Sequence, residues 1–190
     1  MTDLLLIRHA ETDMAGTFCG HSDPPVNAAG RQQIVSLAES LRTKRFDAVY
    51  TSDLLRASAT ANALAEAFTL PCFSRAALRE INFGRWEGLT WSEIEAADPA
   101  CATEWIKAFP SLPAPGGEAF EAFEDRVRNE AAHLLHQPHH RSIAVVTHAG
   151  VIRTILRTFC GIDDQQAAEI TKPYCSTYLY KQNTAEAVRS

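Results

Sequence analysis

Leu4-Leu5-Leu6-Ile7-Arg8-His9-Ala10-Glu11-Thr12 is the stretch from which the fold is read. Its four consecutive aliphatic residues, bounded by polar ones, predict a short strand buried on both faces. Adjacent side chains of a strand point to opposite faces, so Arg8 and His9 cannot share a pocket while the strand continues. The strand therefore ends near Ile7 or Arg8 and the backbone turns. Ligands of open α/β sheets bind in the crevice beyond the carboxyl ends of the strands. An arginine beside a histidine there suits a phosphate, because Arg offers a planar fork of donors and His is a nucleophile or proton carrier near neutral pH. One such pair is weak evidence by itself. A second stretch, Ile143-Ala144-Val145-Val146-Thr147-His148-Ala149-Gly150, has the same form. Two strands that each deliver a histidine to their carboxyl ends are hard to credit to core packing.

The 190 residues fit one domain, 1–190, with ample length for a core; hydrophobic content of 46% and charged content of 22% are ordinary for a globular protein. A net charge of −5 argues against a nucleic acid or an anionic membrane as partner, so any anion site must be local. The N-terminus lacks the pattern of a signal peptide, and no apolar run approaches the roughly 20 residues of a spanning helix. The five cysteines (Cys19, Cys72, Cys101, Cys160, Cys175) are widely spaced and contain no C-x-x-C. They read as reduced thiols of a cytoplasmic protein.

Outward from the first strand, 12–27 is rich in Gly, Pro, Ser and Asp and reads as a functional loop. Asn27 is placed to cap a helix over 27–44, with Ile34, Leu37, Ala38 and Leu41 as its apolar stripe and Arg42, Lys44 and Arg45 at its negative end. A strand is expected over 46–51, then a helix over 53–68 capped by Ser52, then an edge strand within 73–81. The segment 82–117 breaks the alternation; it holds all three tryptophans (Trp86, Trp91, Trp105) and reads as a cap-like insertion with short helices over 91–97 and 100–108. A helix over 118–137, a strand over 142–147, a helix to about 160 and a strand over 176–180 complete the chain. This alternation predicts an α/β fold with a mostly parallel sheet covered on both faces.

Two more residues complete a chemical set. Arg56 follows the carboxyl end of the second strand, in the first turn of its helix, where the macrodipole disfavours a cation. It reads either as an ordinary exposed arginine or as one turned inward to an anion shared with Arg8. Glu80, in Leu78-Arg79-Glu80-Ile81-Asn82-Phe83-Gly84-Arg85-Trp86-Glu87-Gly88, reads either as a partner of Arg79 or Arg85 or as a proton donor at the pocket edge, with Glu87 next in line. His133, His136, His139 and His140 invite a metal reading, but no carboxylate or thiolate cluster accompanies them, so no metal and no cofactor are expected. His21 could line the pocket.

In their order, Arg8-His9-Ala10-Glu11-Thr12, Ser52 with Arg56 and Thr60, Glu80 with Phe83-Gly84-x-Trp86-Glu87-Gly88, Pro115-Gly116-Gly117-Glu118 and Thr147-His148-Ala149-Gly150 resemble the histidine phosphatase (phosphoglycerate-mutase-like) superfamily over nearly the whole chain. The resemblance implies a three-layer α/β/α sandwich and a phosphomonoesterase in which His9 is phosphorylated in turnover. In physical terms, Arg8, Arg56 and a protonated His148 would neutralise the transferring phosphoryl group, with N–H groups of Ala149 and Gly150 as added donors. Neutral His9 would attack, and Glu80 would protonate the departing alkoxide. The expected substrate contacts are Arg8, Arg56, Thr12, Cys19, Gly20 and Ala149. Two positions depart from the family pattern: Ala10 stands where Gly is usual, and Ala15 where many relatives carry a phosphate-binding Asn, which leaves Thr12, Thr17 or a loop backbone group to supply that donor. The first loop, Phe18-Cys19-Gly20-His21-Ser22-Asp23-Pro24-Pro25, is similar to that of the α-ribazole phosphatases of cobalamin nucleotide-loop assembly. Other readings are a phosphoglycerate mutase, a broad-specificity sugar-phosphate phosphatase and, outside enzymes, a non-catalytic phospholigand-binding module. The expected partners are a small phosphomonoester and, at most, a second copy of the chain as a homodimer. For the tryptophans, two roles are open: the insertion's own core, or stacking on a flat substrate.

Overall fold

The computed structural model describes residues 2–181. Five strands, β1 (Asp3–Arg8), β2 (Ala48–Thr51), β3 (Cys72–Ser74), β4 (Ser142–Thr147) and β5 (Thr177–Tyr180), form one sheet in the order β3-β2-β4-β1-β5. The first four run parallel, and β5 pairs antiparallel with β1 at the edge. Alternation along the strands divides the core in two. Leu4, Leu6, Tyr50, Ile143, Val145 and Tyr178 pack against α5 (Phe120–Leu135), α6 (Ala149–Cys160) and α7 (Asp164–Thr171). Leu5, Ile7, Val49, Ala144 and Val146 pack on the other face against α1 (Ala28–Ser40) and α2 (Leu55–Phe68). The result is a sheet between two helical layers. Leu4, Leu6 and Ile7 are fully buried, and each such side chain is worth about 1.5–3 kcal/mol of burial.

Several elements differ from the sequence reading. Helix α1 begins as expected, with Asn27 Oδ1 accepting from Gly30 N at 2.8 Å, but it ends at Ser40. Arg42, Lys44 and Arg45 therefore lie beyond its last turn, where Lys44 N bonds back to Leu41 O in a tight turn. Strand β2 starts at Ala48 rather than 46, and β3 is only three residues long, followed by two single 3-10 turns at Ala76–Leu78 and Gly84–Trp86. Ser52 does not cap α2. The helix starts later, at Leu55, and its first N–H bonds to Asp23 Oδ1 at 2.6 Å, a carboxylate brought in from the first loop. Helix α7 was not anticipated; Asp163 caps it through Gln166 N.

The insertion carries α3 (Trp91–Ala97) and α4 (Pro99–Ala108), started by a Thr90–Glu93 capping box and by Asp98. Trp86, Ile94, Ala102 and Ala114 are its buried centre, with Phe18, Phe83, Trp91 and Trp105 packed around them. The tryptophans thus build the insertion's own core, Trp86 at 6% exposure being the most buried of them. Trp105 has a second surface, described below.

Candidate active site

Register places the two histidines side by side. In the parallel β1–β4 pair Arg8 faces Thr147, so the next residues, His9 and His148, leave the sheet together. His9 N still bonds to Thr147 O at 2.9 Å, and the two imidazole centroids lie 5.0 Å apart. Strand β2 ends one position away: Ser52 N bonds to Val146 O, and Ser52 Oγ lies 2.9 Å from His148 Nε2.

His9 is held in one orientation. Its Nδ1 lies 2.7 Å from Ala10 O, and a carbonyl only accepts, so Nδ1 carries the proton. Nε2 is then the ring's lone-pair nitrogen, and Arg56 Nε donates to it at 3.3 Å. Burial first, then the Arg56 charge, push the His9 pKa down to about 3, so the ring is neutral at pH 7. His9 is buried at 8% exposure, its ring lying between the tilted rings of His148 and Tyr174. His148 is also neutral here rather than protonated. Burial, His9 and Arg56 together hold it well below the ordinary histidine value. Its Nδ1 is buried without a hydrogen-bond partner.

Arg56 is fully buried and turned inward. Nη1 donates to Ser22 O at 2.7 Å, and Nη2 to Cys19 O at 3.1 Å and Gly20 O at 2.7 Å. Thr60 ties the same turn to the histidine, accepting from Ala10 N and donating to Arg56 O. Arg8 donates through Nη1 to Thr171 O and Lys172 O, lies 4.0 Å from the Tyr174 ring centroid, and keeps a buried Nε without a partner. Neither arginine pairs with a carboxylate among the described residues. A fully buried Arg56 and a half-buried Arg8, answered among the described residues by carbonyls, the His9 imidazole and the Tyr174 ring, leave a local positive charge that an anion would neutralise.

The first loop serves this arrangement chiefly through its backbone. Cys19 and Gly20 reach the site as the carbonyls that hold Arg56, and the Gly20 N–H is taken by Glu87 Oε2 at 3.0 Å. Thr12 is buried, its Oγ1 accepting from Met14 N, while the Thr17 hydroxyl is committed to Met14 O. Ala15 is exposed. Glu87 is not a spare acid. It accepts from the N–H groups of Gly20, His21, Ser22 and Phe83, fastening the loop to the insertion. Burial by itself would raise its carboxyl pKa, but the N–H groups of Ser22, His21 and Phe83 outweigh it and hold the group ionised.

Glu80 sits at the edge of the histidine pair, 9% exposed, with neither Arg79 nor Arg85 on its carboxylate. Arg79 pairs instead with Asp53. Glu80 Oε1 accepts from Ile81 N at 3.0 Å and Oε2 from Gly150 N at 2.9 Å. The Gly150 N–H is therefore not free for phosphate, which leaves that of Ala149, the first residue of α6. Arg126, which sequence reasoning missed, donates to the carbonyls of Ala77, Arg79 and Glu80 and grips Glu118, whose Oε2 accepts from Asn82 N. His21 Nε2 also meets Glu80 O, at 3.0 Å. A Cβ at Gly150 would lie 2.2 Å from Glu80 Oε1, so no side chain fits there without moving the carboxylate. Gly150→Ala should lower kcat on alkyl phosphates about a hundredfold, the scale of an ångström's misplacement of a reacting group. An unchanged kcat would show that the carboxylate position is irrelevant.

A cavity of about 620 Å³ opens from Glu80, Ala149 and Gly150. It does not reach His9 itself. Phe83, Trp105 and Phe109 stand on its insertion side, and Arg153, Thr154 and Arg157 of α6 on the other. Elsewhere, His136 Nδ1 meets Ala132 O, His133 meets Gln137, and His140 packs on Tyr50 and Phe73. Among the described residues no three His, Cys, Asp or Glu side chains are grouped to hold a metal ion, and no helix is long and apolar enough to cross a membrane. All five cysteines are free thiols.

The family profile described as the histidine phosphatase superfamily (branch 1) matches residues 4–188. The chain is 32% identical over 161 residues to the adenosylcobalamin/alpha-ribazole phosphatase of Escherichia coli K12, covering 84% of this chain and 79% of that one. It is 33% identical over 160 residues to a metal-independent phosphoserine phosphatase of Arabidopsis thaliana, covering 82% and 67%. The crystal structure of the alpha-ribazole phosphatase from Shigella flexneri superposes with a TM-score of 0.88 at 28% identity, over 100% of this chain and 95% of that one. The chain belongs to the histidine phosphatase superfamily and is a phosphoric monoester hydrolase.

Proposed function

We propose that the chain hydrolyses α-ribazole 5′-phosphate, without a metal, through a phosphohistidine at His9. The observation that carries this reading is a fully buried Arg56 and a half-buried Arg8, neither paired with a carboxylate among the described residues, beside an imidazole whose lone pair is already on Nε2. An arriving phosphate takes over the Arg56 Nε–H now donated to Nε2. His9 Nε2 then forms the N–P bond as the ester P–O bond breaks, and Glu80 gives its proton to the leaving alkoxide. Water next attacks phosphorus, Glu80 takes its proton, the N–P bond breaks and phosphate departs with His9 neutral again. His148 acts with the substrate rather than before it. Ser52 Oγ already accepts from Leu54 N, so its hydrogen can go to His148 Nε2 and Nδ1–H can face the phosphate. In the imidazolium that the dianion favours, Nε2 also carries a proton and donates it to Ser52 Oγ, whose hydroxyl turns away. Charge stabilisation by Arg8, Arg56 and His148 does the work that other phosphatases assign to a cation. Turnover should therefore persist in EDTA; loss restored by a divalent metal would overturn the metal-free mechanism.

The substrate follows from the cavity beside the proton donor. Its Phe83, Trp105 and Phe109 side suits the flat face of a benzimidazole ribotide better than a short carboxylate such as 3-phosphoglycerate, and three similar proteins carry the adenosylcobalamin/alpha-ribazole phosphatase name. A kcat/KM panel of α-ribazole 5′-phosphate, phosphoserine, 3-phosphoglycerate, fructose bisphosphates and a nucleotide monophosphate tests this. The ribotide should lead by at least about fivefold, the lower value of one aromatic stacking contact at about 1 kcal/mol. Phosphoserine in first place would reassign the substrate. Trp105→Ala should remove the lead, whereas Trp86 and Trp91 belong to the insertion core and should act through stability.

A further inference from the structure

One face of α6 forms the other side of the same cavity, and its polar groups are unevenly committed. Arg153 and Thr154 each lie three or four residues from both Gly150 and Arg157, which places the four along one side of the helix. Thr154 is fully buried, and among the described residues its Oγ1 has no hydrogen-bond partner. A helical threonine ordinarily returns its hydroxyl to a carbonyl of the preceding turn; this one does not, and it borders a cavity. An unanswered buried hydroxyl costs about 1–3 kcal/mol. Arg153 donates through Nε to Thr171 Oγ1 at 2.8 Å, while Arg8 donates to the carbonyl of the same Thr171. Arg153 therefore stands where the cavity meets the arginine of the phosphate site. Among the described residues no acceptor engages its Nη groups, and no carboxylate pairs with it. The nearby acids are occupied: Glu118 by Arg126 and Asn82, Asp164 by Arg157.

The uncommitted groups on this side are thus donors close to the phosphate, whereas the aromatic side is apolar. A matching leaving group carries oxygen acceptors within a few bonds of its phosphate and a flat apolar ring farther out. We propose that Arg153 and Thr154 form a sugar-reading site, hydrogen-bonding the furanose oxygens of a ribotide while its base lies against Phe83 and Trp105. The assignment of the ring to the aromatic side rests on the α-ribazole reading; the sugar contact does not.

Arg153→Met, Arg153→Lys and Thr154→Val separate the alternatives, valine keeping the volume of threonine where no hydrogen bond is lost. Steady-state kinetics would use ribose 5-phosphate (sugar only), α-ribazole 5′-phosphate (sugar and base), phosphoserine (carboxylate) and p-nitrophenyl phosphate (neither). The ratio of kcat/KM for ribose 5-phosphate to that for p-nitrophenyl phosphate should fall about tenfold in Thr154→Val and about tenfold to a hundredfold in Arg153→Met, through KM, with partial recovery in Arg153→Lys. The ratio for α-ribazole 5′-phosphate should fall in parallel. An unchanged ratio would overturn the proposal, as would a fall on phosphoserine larger than that on ribose 5-phosphate, which would make Arg153 a carboxylate site. A wild-type enzyme that prefers ribose 5-phosphate to α-ribazole 5′-phosphate, with the variant effects as stated, would remove the base from the substrate and leave the sugar site standing.

Discussion

His9→Ala should lower kcat/KM on every phosphomonoester by at least about 10⁴-fold, the scale seen when a covalent nucleophile is removed. The loss should not depend on the leaving group, because the missing atom is the one that attacks phosphorus. The fold should survive. Among the described residues His9 Nδ1 bonds only to the neighbouring Ala10 carbonyl, and Nε2 only to Arg56, which keeps its three loop carbonyls in the variant. Thermal unfolding of the variant checks this independently of activity. Folded protein with activity within tenfold of wild type would show that His9 is not the nucleophile.

Glu80→Gln carries the second large effect, and this one depends on the leaving group. The amide can occupy the same place, its oxygen accepting from Ile81 N or Gly150 N, but it has no proton to yield. General acid catalysis is worth roughly 10² to 10⁴-fold, so single-turnover phosphorylation by an alkyl phosphate should slow by about that factor. An activated aryl phosphate leaves without much protonation and should be phosphorylated nearly as fast as by wild type. Equal losses for both would take Glu80 out of the acid role. Glu87 would not replace it, since four N–H groups already hold that carboxylate.

The depressed histidine pKa values also bear on acid stability. A buried neutral His9 binds its proton near pH 3 when folded but near the ordinary 6.5 when unfolded. The unfolded chain therefore takes up more protons between those values, and the stability His9 contributes is complete above about pH 6.5 and lost progressively as pH falls towards 3. His148 shifts in the same direction and adds to the slope. The midpoint of thermal unfolding should fall across this window.

What was readable in the sequence was local or periodic. Four aliphatic residues before Arg8 define β1, Asn27 caps α1, and the His148-Ala149-Gly150 turn starts α6 where expected. Arg56 could be suspected because a cation at a helix start is out of place. What was not readable depends on partners far away in the chain. Asp23 rather than Ser52 meets the first N–H of α2 because the loop folds back over that helix. Glu87 reads in the sequence as a reserve acid, but four N–H groups hold its carboxylate. Arg126 lies on a helix face that reads as ordinary surface, yet it gathers three carbonyls beneath Glu80. Helix α7 was missed because its eight residues carry too few apolar positions, Ala167 and Ile170 being its main contributions to the core. Phosphate chemistry predicts a protonated His148, but in the free site burial holds the ring neutral.

The central claim is that phosphate passes through His9. Rapid denaturing quench of enzyme turning over a ³²P-labelled phosphomonoester measures it most directly. Wild type should retain label that is stable in base and released in acid, as a phosphoramidate is, at up to one phosphate per chain, and mapped to the peptide containing His9. Glu80→Gln should accumulate it from an aryl phosphate, because the water that removes it has lost its base. Label absent from both proteins under turnover, or retained in His9→Ala, would contradict the account.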